Sequence, residues 1–456
     1  MLVKESADYK AGRIASVSTA ALIAGCLYLM VPSVSAMASA STAASVPKNI
    51  VVVGGGIQGT SVAYQLAKRT SPSTKIVLLE SEKPASAASG KGGGFMARSW
   101  GNGSPTERLH HVAFDMYGQL AAEVGCTSYR KLPVLSVSPG YDGIKLAQKK
   151  KGLSSLLPSW LDGKVGRIGA LGDGQDTAQI TPKEFVNAML EQQEQRIQVV
   201  KGTCVGVESD QGSQRGARKV TAVQYQTSDD THEPLLLPAD CVVVSAGPWS
   251  CAAEDWFRGS GVQLPMEGVK STSIVWKKPS HMETVDGTAL FCGEDDRFGT
   301  HLEVYPRPDN TIYICGIGGS DYISMEDLKG GAFRSQCDAK EQRVEAAMAS
   351  FQEMSSVYKQ EGELDRSQAC MRPCPPDAMP YMGPIPGYEG AFINAGHNCW
   401  GIAWAPACGL AMAELIVDGE SSTIDLAPFD PCRFTPNLSR GSRGRKRQGQ
   451  DVGEQW

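Results

Sequence analysis

The feature that most restricts this chain is a strand, turn and helix compressed into residues 49–67. Asn49-Ile50-Val51-Val52-Val53 is a short run rich in β-branched residues, and it leads straight into Gly54-Gly55-Gly56-Ile57-Gln58-Gly59. The apolar-periodic segment that follows, with Val62, Leu66 and Ala67, predicts a helix. GxGxxG between a strand and a helix has a defined physical use. Gly54 permits a tight turn, Gly56 lets backbone approach a pyrophosphate, and Gly59 allows the helix to pack closely on the strand. The helix start, with Ile57 and Gln58, offers unpaired N–H groups to phosphate.

A second apolar strand, Ile76-Val77-Leu78-Leu79, ends in Glu80, followed by Ser81, about 20 residues beyond the last glycine. A carboxylate there can accept from both ribose hydroxyls of a dinucleotide and disfavours a 2′-phosphate, so NADP is disfavoured. NAD and FAD both remain open at this point, and a glycine-rich turn in an ordinary α/β sheet is the bland alternative.

With 456 residues, about two-fifths of them apolar, the chain can fill two domains. The net charge of −5 argues against a general polyanion binder, so nucleic acid is not an expected partner. The 13 cysteines are scattered, with no CxxC pair and no Cys/His spacing that suits zinc. Cys204, Cys241, Cys315 and Cys408 lie in apolar or Gly-rich stretches and read as core thiols. His110 and His111 are adjacent and diverge on a helix, so no metal site is expected.

The first 46 residues read as a targeting segment and linker. Lys4, Lys10 and Arg13 precede an apolar run from Ala15 to Met30, then Val34-Ser35-Ala36, a site for cleavage. This points to the secretory pathway or an organelle, such as a plastid, rather than the cytoplasm. The alternative is a retained anchor, since roughly 20 apolar residues span a bilayer, and only then is a membrane a partner. At the other end, 431–456 reads as a basic tail, with Arg440, Arg443, Arg445, Lys446 and Arg447 among Gly, Ser and Gln.

Further segments separate FAD from NAD. Ala85 to Phe95, which includes Ser89, Gly90, Gly93, Gly94 and Phe95, is a small-residue stretch that an NAD fold does not need. Together with the fingerprint it resembles the D-amino acid oxidase family of flavoenzymes, in its glycine oxidase and sarcosine oxidase branches. Val242 to Ser250, which includes Ala246, Gly247 and Trp249, is similar to that family's strand-to-turn segment beneath the flavin. Gly383-Pro384 to Gly409 is similar to its C-terminal flavin-closing segment. The resemblance covers about residues 48 to 430, with most likeness to fungal, plant and algal oxidoreductases of undefined substrate.

That resemblance implies FAD as cofactor, with Val205 among its contacts, and an α/β fold. A Rossmann-like FAD-binding domain (47–127, 178–258 and 378–430) would be interrupted by an antiparallel-sheet α+β substrate domain (128–177 and 259–377). Local patterns agree. Ser104-Pro105-Thr106-Glu107 reads as a capping box with Pro at the first helical position, ahead of Leu109, Val112, Met116 and Leu120. Thr181-Pro182-Lys183-Glu184 repeats the device. Between Val262 and Cys315 the pattern shifts to short β-rich runs such as Ser271 to Trp276 and Thr311 to Cys315.

Ala369-Cys370-Met371-Arg372-Pro373-Cys374-Pro375-Pro376-Asp377 resembles the family's Arg-Pro-x-x-Pro-Asp segment. The resemblance gives Arg372 the substrate carboxylate, a role that suits the two-pronged guanidinium, with a structural ion pair as the alternative. Cys370 falls where sarcosine oxidases bond the flavin covalently, and the alternative is a packed thiol. His397, Asn398, Gly401 and Ile402 match the segment that aims backbone N–H groups at the flavin, His397 being either catalytic or a neutral positioning group. Where the family has a second glycine after this histidine, the chain has Asn398 and the bulky pair Cys399-Trp400. The resemblance thus implies oxidation of the C–N bond of a small amine or amino acid by hydride transfer to flavin, with oxygen or another acceptor. A flavin-binding protein with an interaction or sorting role is the rival from another class, and an NAD-dependent reductase comes third.

Overall fold

In the computed structural model the described residues are 46–148, 152–212, 216–227 and 233–436. The targeting reading of 1–45 and the basic run beyond Pro436 fall outside them. A six-stranded sheet carries the dinucleotide motif. Its central strand, Asn49–Val53, runs parallel to Lys75–Glu80 on one side and Cys241–Val244 on the other. Ile197–Lys201 continues the sheet past Glu80, while Ala391–Ala395 and the antiparallel Tyr381–Pro384 complete the other side. The continuous apolar runs follow from burial on both faces, as parallel sheets require. The turn after Asn49–Val53 sits where the chain leaves the central strand in opposite directions, the position at which open α/β sheets bind ligands.

Two helices cover one face of this sheet. Ile57–Arg69 follows the turn, and Gly401–Asp418 packs on it so closely that a Cβ on Gly409 would lie 2.4 Å from Ser61 Oγ. Ser61 Oγ donates to the Ala405 carbonyl at 2.8 Å. Gly401–Asp418 carries Pro406 inside it, which removes the N–H that would serve the Ile402 carbonyl four residues back. The buried Tyr117 hydroxyl, from helix Glu107–Glu123, donates to that carbonyl instead.

A second, larger sheet is antiparallel in its central part. Glu267–Trp276 pairs with Leu364–Cys374 along nearly its whole length, and also with Ile312–Cys315 and Asp321–Ile323. Beyond Ile312–Cys315 come Glu303–Pro306, Ala289–Cys292, Val134–Pro139 and Val165–Gly172. Strand alternation with the observed register sets Ser271, Ser273, Cys370, Arg372, Glu303, Tyr305, Tyr313 and Cys315 on one face.

Several local expectations need correction. The first capping box does not form. The helix begins at Glu107, Ser104 Oγ accepts from Thr106 N–H at 3.2 Å, and the Glu107 carboxylate accepts from Gly103 N–H at 2.8 Å. Pro182 does take the first helical position, with Thr181 preceding it, but Glu184 turns to the backbone N–H groups of Thr127 (2.7 Å) and Ser128 (3.3 Å). Nor does a tail begin at 431. Pro431–Phe434 is a packed turn, because Arg433 forms a two-pronged pair with Asp377 (2.7 and 3.0 Å) and lies 4.2 Å from the Tyr381 ring centre. Cys241 and Cys408 are buried in the core, whereas Cys204 and Cys315 are half-buried and line a cavity. His110 and His111 diverge as read, one to the Ala97 carbonyl and the other to Asn102.

Tyr117→Phe leaves the Ile402 carbonyl without a donor and is expected to lower unfolding stability by about 1–3 kcal/mol in denaturant titration. Glu414 lies 6% exposed, where burial alone would raise its pKa, but five hydrogen bonds from Ser421, Ser422 and Thr423 hold the carboxyl below the usual range. Its stabilising contribution is therefore present above the ordinary glutamate pKa and fades as pH falls through the lowered native value. Glu414→Gln should lower the thermal midpoint at pH 7 and narrow its gap to the parent protein under acid conditions.

Candidate active site

A cavity of about 580 Å³ opens at the carboxyl ends of the parallel strands and is walled by both sheets. Its floor is the glycine turn. Gly54 has φ +107°, and a Cβ there would sit 2.4 Å from the Ser245 carbonyl oxygen; one on Gly59 would sit 2.0 Å from the Gly54 oxygen. Both approaches exclude any other residue and bring the helix N-terminus up to the cavity.

The surrounding side chains fix this floor. Glu80 Oε2 accepts from Gly55 N–H at 2.7 Å, and Oε1 accepts from Glu82 N–H at 2.9 Å and the Ser81 hydroxyl at 3.3 Å. Ser89 Oγ accepts from Ile57 N–H at 2.8 Å, which ties the small-residue stretch to the helix start and takes up one of the N–H groups that the sequence left open to phosphate. The Gln58 side chain braces the structure: it donates to the Gly401 carbonyl at 2.7 Å and accepts from Asn394 Nδ2 at 3.0 Å. Of the residues singled out in the sequence as cofactor-binding or catalytic, all line the cavity except Gly59 and Gly90. Those two lie behind the wall, where their missing side chains let backbone segments meet; a Cβ on Gly90 would be 1.9 Å from the Ala85 oxygen.

The roof carries the charged groups. Arg372, in strand Leu364–Cys374, places Nη2 3.5 Å from Ser271 Oγ and has a buried Nε with no partner. Burial would weaken its proton affinity, but the neighbouring thiols Cys399, Cys374 and Cys370, with Glu303, raise it, so the guanidinium stays charged. Cys370 lies two residues away on the same face, its thiol pushed up to about 11 by burial. Asp377 turns away to Arg433, which anchors the end of the Pro-Asp segment.

His397 is 2% exposed, its Nε2 has no partner, and burial lowers its pKa to about 3, so the imidazole is neutral. It precedes a short 3-10 turn, Asn398–Trp400, that leads into Gly401–Asp418. Asn398 has φ +48°, the left-handed conformation that asparagine tolerates best after glycine. This accounts for Asn398 standing where glycine was expected. Its Oδ1 also accepts from Cys374 Sγ at 2.9 Å.

Sequence reasoning missed two parts of the wall. One is the aromatic group around the expected Phe95: Tyr305 stacks on it with ring centres 5.5 Å apart, Phe291 is 5.1 Å from it, and Trp100 is 6.3 Å from Trp400. The other is Glu303, a carboxylate 5% exposed beside the Tyr305 hydroxyl and Cys315. The available signal was a charged residue alternating with tyrosine in an otherwise apolar strand, Leu302-Glu303-Val304-Tyr305.

The donor set fits a dinucleotide. The turn is bare of side chains, the cavity has the volume of a cofactor site, and Ser245 Oγ, Asn394 Oδ1, Arg372 Nε and His397 Nε2, all from cavity-lining residues, are buried polar atoms without partners. Such atoms are costly to bury unless a ligand meets them.

The description "FAD dependent oxidoreductase" of the DAO family matches residues 49–415. The chain is 26% identical over 402 residues to a Schizosaccharomyces pombe protein whose name goes no further than oxidoreductase, covering 84% of this chain and 98% of that one. It is 25% identical over 405 residues to glycine oxidase of Pseudomonas putida, again covering 84% and 98%. Among solved structures, glycine oxidase of Geobacillus kaustophilus superposes with a TM-score of 0.64 at 18% identity, over 85% of this chain and 98% of the other, which shows the shared fold. FAD is the cofactor of this family, and the match spans most of the chain: the protein belongs to the DAO family of FAD-dependent oxidoreductases.

Proposed function

We propose that the cavity binds FAD and that the protein oxidises the C–N bond of a small amino acid or N-methyl amino acid, with oxygen as acceptor. The observation that carries this reading is the half-buried, charged Arg372, whose Nε is buried and unpartnered, on the cavity roof above the glycine turn. A guanidinium held with spare donors on a cavity wall is suited to a carboxylate. Homologues support the substrate class: the Pseudomonas putida relative is a glycine oxidase, and a fold neighbour is an L-amino acid deaminase from Proteus myxofaciens solved with anthranilate.

Bound FAD supplies the acceptor for two electrons and a proton equivalent. The chain's own residues do the rest. The glycine turn and the start of helix Ile57–Arg69 would hold the pyrophosphate, Glu80 would accept from the ribose hydroxyls, and the start of Gly401–Asp418 would offer backbone N–H groups to the ring system, all from residues that line the cavity. No acidic side chain occupies the first turn of that helix to oppose negative charge. Arg372 orients the substrate, and the aromatic wall excludes water. His397, neutral and buried, positions its loop. The Cys370 thiol, its pKa raised by burial, packs beside Arg372 on the roof, and in this reading the flavin is held without a covalent bond to it.

Arg372→Ala should weaken binding of a carboxylate substrate at least about 30-fold, the loss of one buried charge partner, while FAD content is unchanged. Equal substrate affinity in the variant would favour a flavin-binding protein without this chemistry. His397→Gln should leave any ionisation seen in kcat/KM between pH 5 and 8 in place, because the native imidazole titrates well below that window. Oxygen uptake and peroxide formation, measured beside artificial electron acceptors across amino acids and N-methyl amino acids, identify substrate and acceptor; turnover of none of them contradicts the proposal.

A further inference from the structure

Arg372 faces one other fixed charge across the roof. Glu303 lies on the same sheet face, three strands away, through the pairings of Leu364–Cys374 with Glu267–Trp276, of that strand with Ile312–Cys315, and of Ile312–Cys315 with Glu303–Pro306. Three strand spacings are about 14 Å across the sheet, and the register staggers Arg372, opposite Val269, by four residues from the line through Glu303, Cys315 and Ser273, about 13 Å along the strands. The two long side chains project into the same cavity from either end of that span, near enough for each charge to affect the other's proton affinity.

The two oxygens of Glu303 are unequally served. Oε2 accepts from the Tyr305 hydroxyl and from Cys315 Sγ at 3.5 Å. Oε1 has no hydrogen-bond partner among the described residues. A carboxylate only 5% exposed, with one oxygen bound in place and the other left in a cavity, is costly unless a ligand completes it. The other cavity-lining carboxylate, Glu80, is engaged on both oxygens at the glycine turn.

We propose that Glu303 Oε1 receives the amino group of the substrate while Arg372 holds its carboxylate, so that the roof selects zwitterions and Glu303 takes the proton that frees the amine lone pair. This rests on the amino-acid reading above and adds the residue that reads the nitrogen. In the proton step an N–H bond of the ammonium breaks, its electron pair stays on nitrogen, and an O–H bond forms at Oε1. Burial favours that transfer by raising the proton affinity of Glu303, against the opposing influence of the Tyr305 and Cys315 hydrogen bonds, His301 and Arg372. The titratable groups around Glu303 are His301 just before its strand, Tyr305 on that strand, Cys315 beside it on the same face, Cys292 on the opposite face of the neighbouring strand, Arg372, and Cys399 of the His397 loop. Arg372 is the fixed positive charge among them.

The test uses the FAD-loaded protein and calorimetric binding of amino acids paired with acids that lack the nitrogen: glycine with acetate, alanine with propionate, and sarcosine with butyrate. In the parent protein the amino acids should bind more tightly than their partners. Glu303→Gln should weaken the amino acids by at least tenfold and the matched acids by less than about twofold. It should also abolish the loss of amino-acid affinity that the parent shows as pH falls and Glu303 protonates. Glu303→Asp, which keeps the charge on a shorter arm, should retain part of the preference, and bound flavin and thermal midpoint report folding for both variants. Equal effects of Glu303→Gln on both ligand classes, or no effect on either, overturn the assignment of Glu303. If the parent protein binds neither class, the amino-acid reading itself fails and takes this proposal with it.

Discussion

The close backbone approach at the glycine turn is the constraint on which the rest of the structure depends. Gly54 brings the turn against Ser245, at the end of strand Cys241–Val244, and Gly59 brings the helix back against the Gly54 carbonyl. A Cβ at either place would push the helix away from the strand ends. The same contact sets the floor of the cavity, because Ser89 and Gln58 attach the small-residue loop and the Gly401 helix start to this one helix N-terminus. Three segments far apart in sequence thus converge through two side-chain hydrogen bonds and a pair of missing methyl groups.

The roof follows a different rule. There the period of two along each strand sorts polar and aromatic side chains to the cavity and apolar ones, such as Ile274, Val304 and Ile314, to the core behind. Arg372 keeps a buried Nε without a partner, and Glu303 is held by hydrogen bonds to one oxygen only. Such groups weaken a fold unless another group meets them, and the floor opposite leaves Ser245 and Asn394 in the same condition. Unpartnered polar atoms on both sides of one cavity describe a site that is finished by its ligand.

Much of the floor was legible in the sequence because its signals are local. Gly54 to Gly59, Glu80, Ser89 and His397 to Ile402 each sit in a short segment whose composition states its geometry. Arg372 was legible through the Pro-rich segment around it. Glu303 was not, since it joins Arg372 only through pairings among strands that are tens of residues apart, and the alternation of Glu303 with Tyr305 in its own segment marks a polar strand face without saying what that face meets. Cys204 and Cys315 were misplaced for the same reason: composition marks a small hydrophobe but not which strand face it takes. Arg433 looked like part of a basic tail, and only the tertiary partner Asp377 shows otherwise. The capping boxes failed where Glu107 and Glu184 found other backbone N–H groups nearby, a competition that spacing alone does not decide.

The central claim is that this cavity carries FAD, held by backbone and hydrogen bonds rather than by a thioether. The most direct test is the visible absorbance spectrum of the purified protein before and after acid precipitation. The account predicts flavin bands that pass into the supernatant, which would also return Cys370 to a packing role. Colour retained in the pellet would contradict non-covalent binding and assign Cys370 to the flavin. The absence of flavin bands, even after incubation with FAD, would contradict the claim altogether.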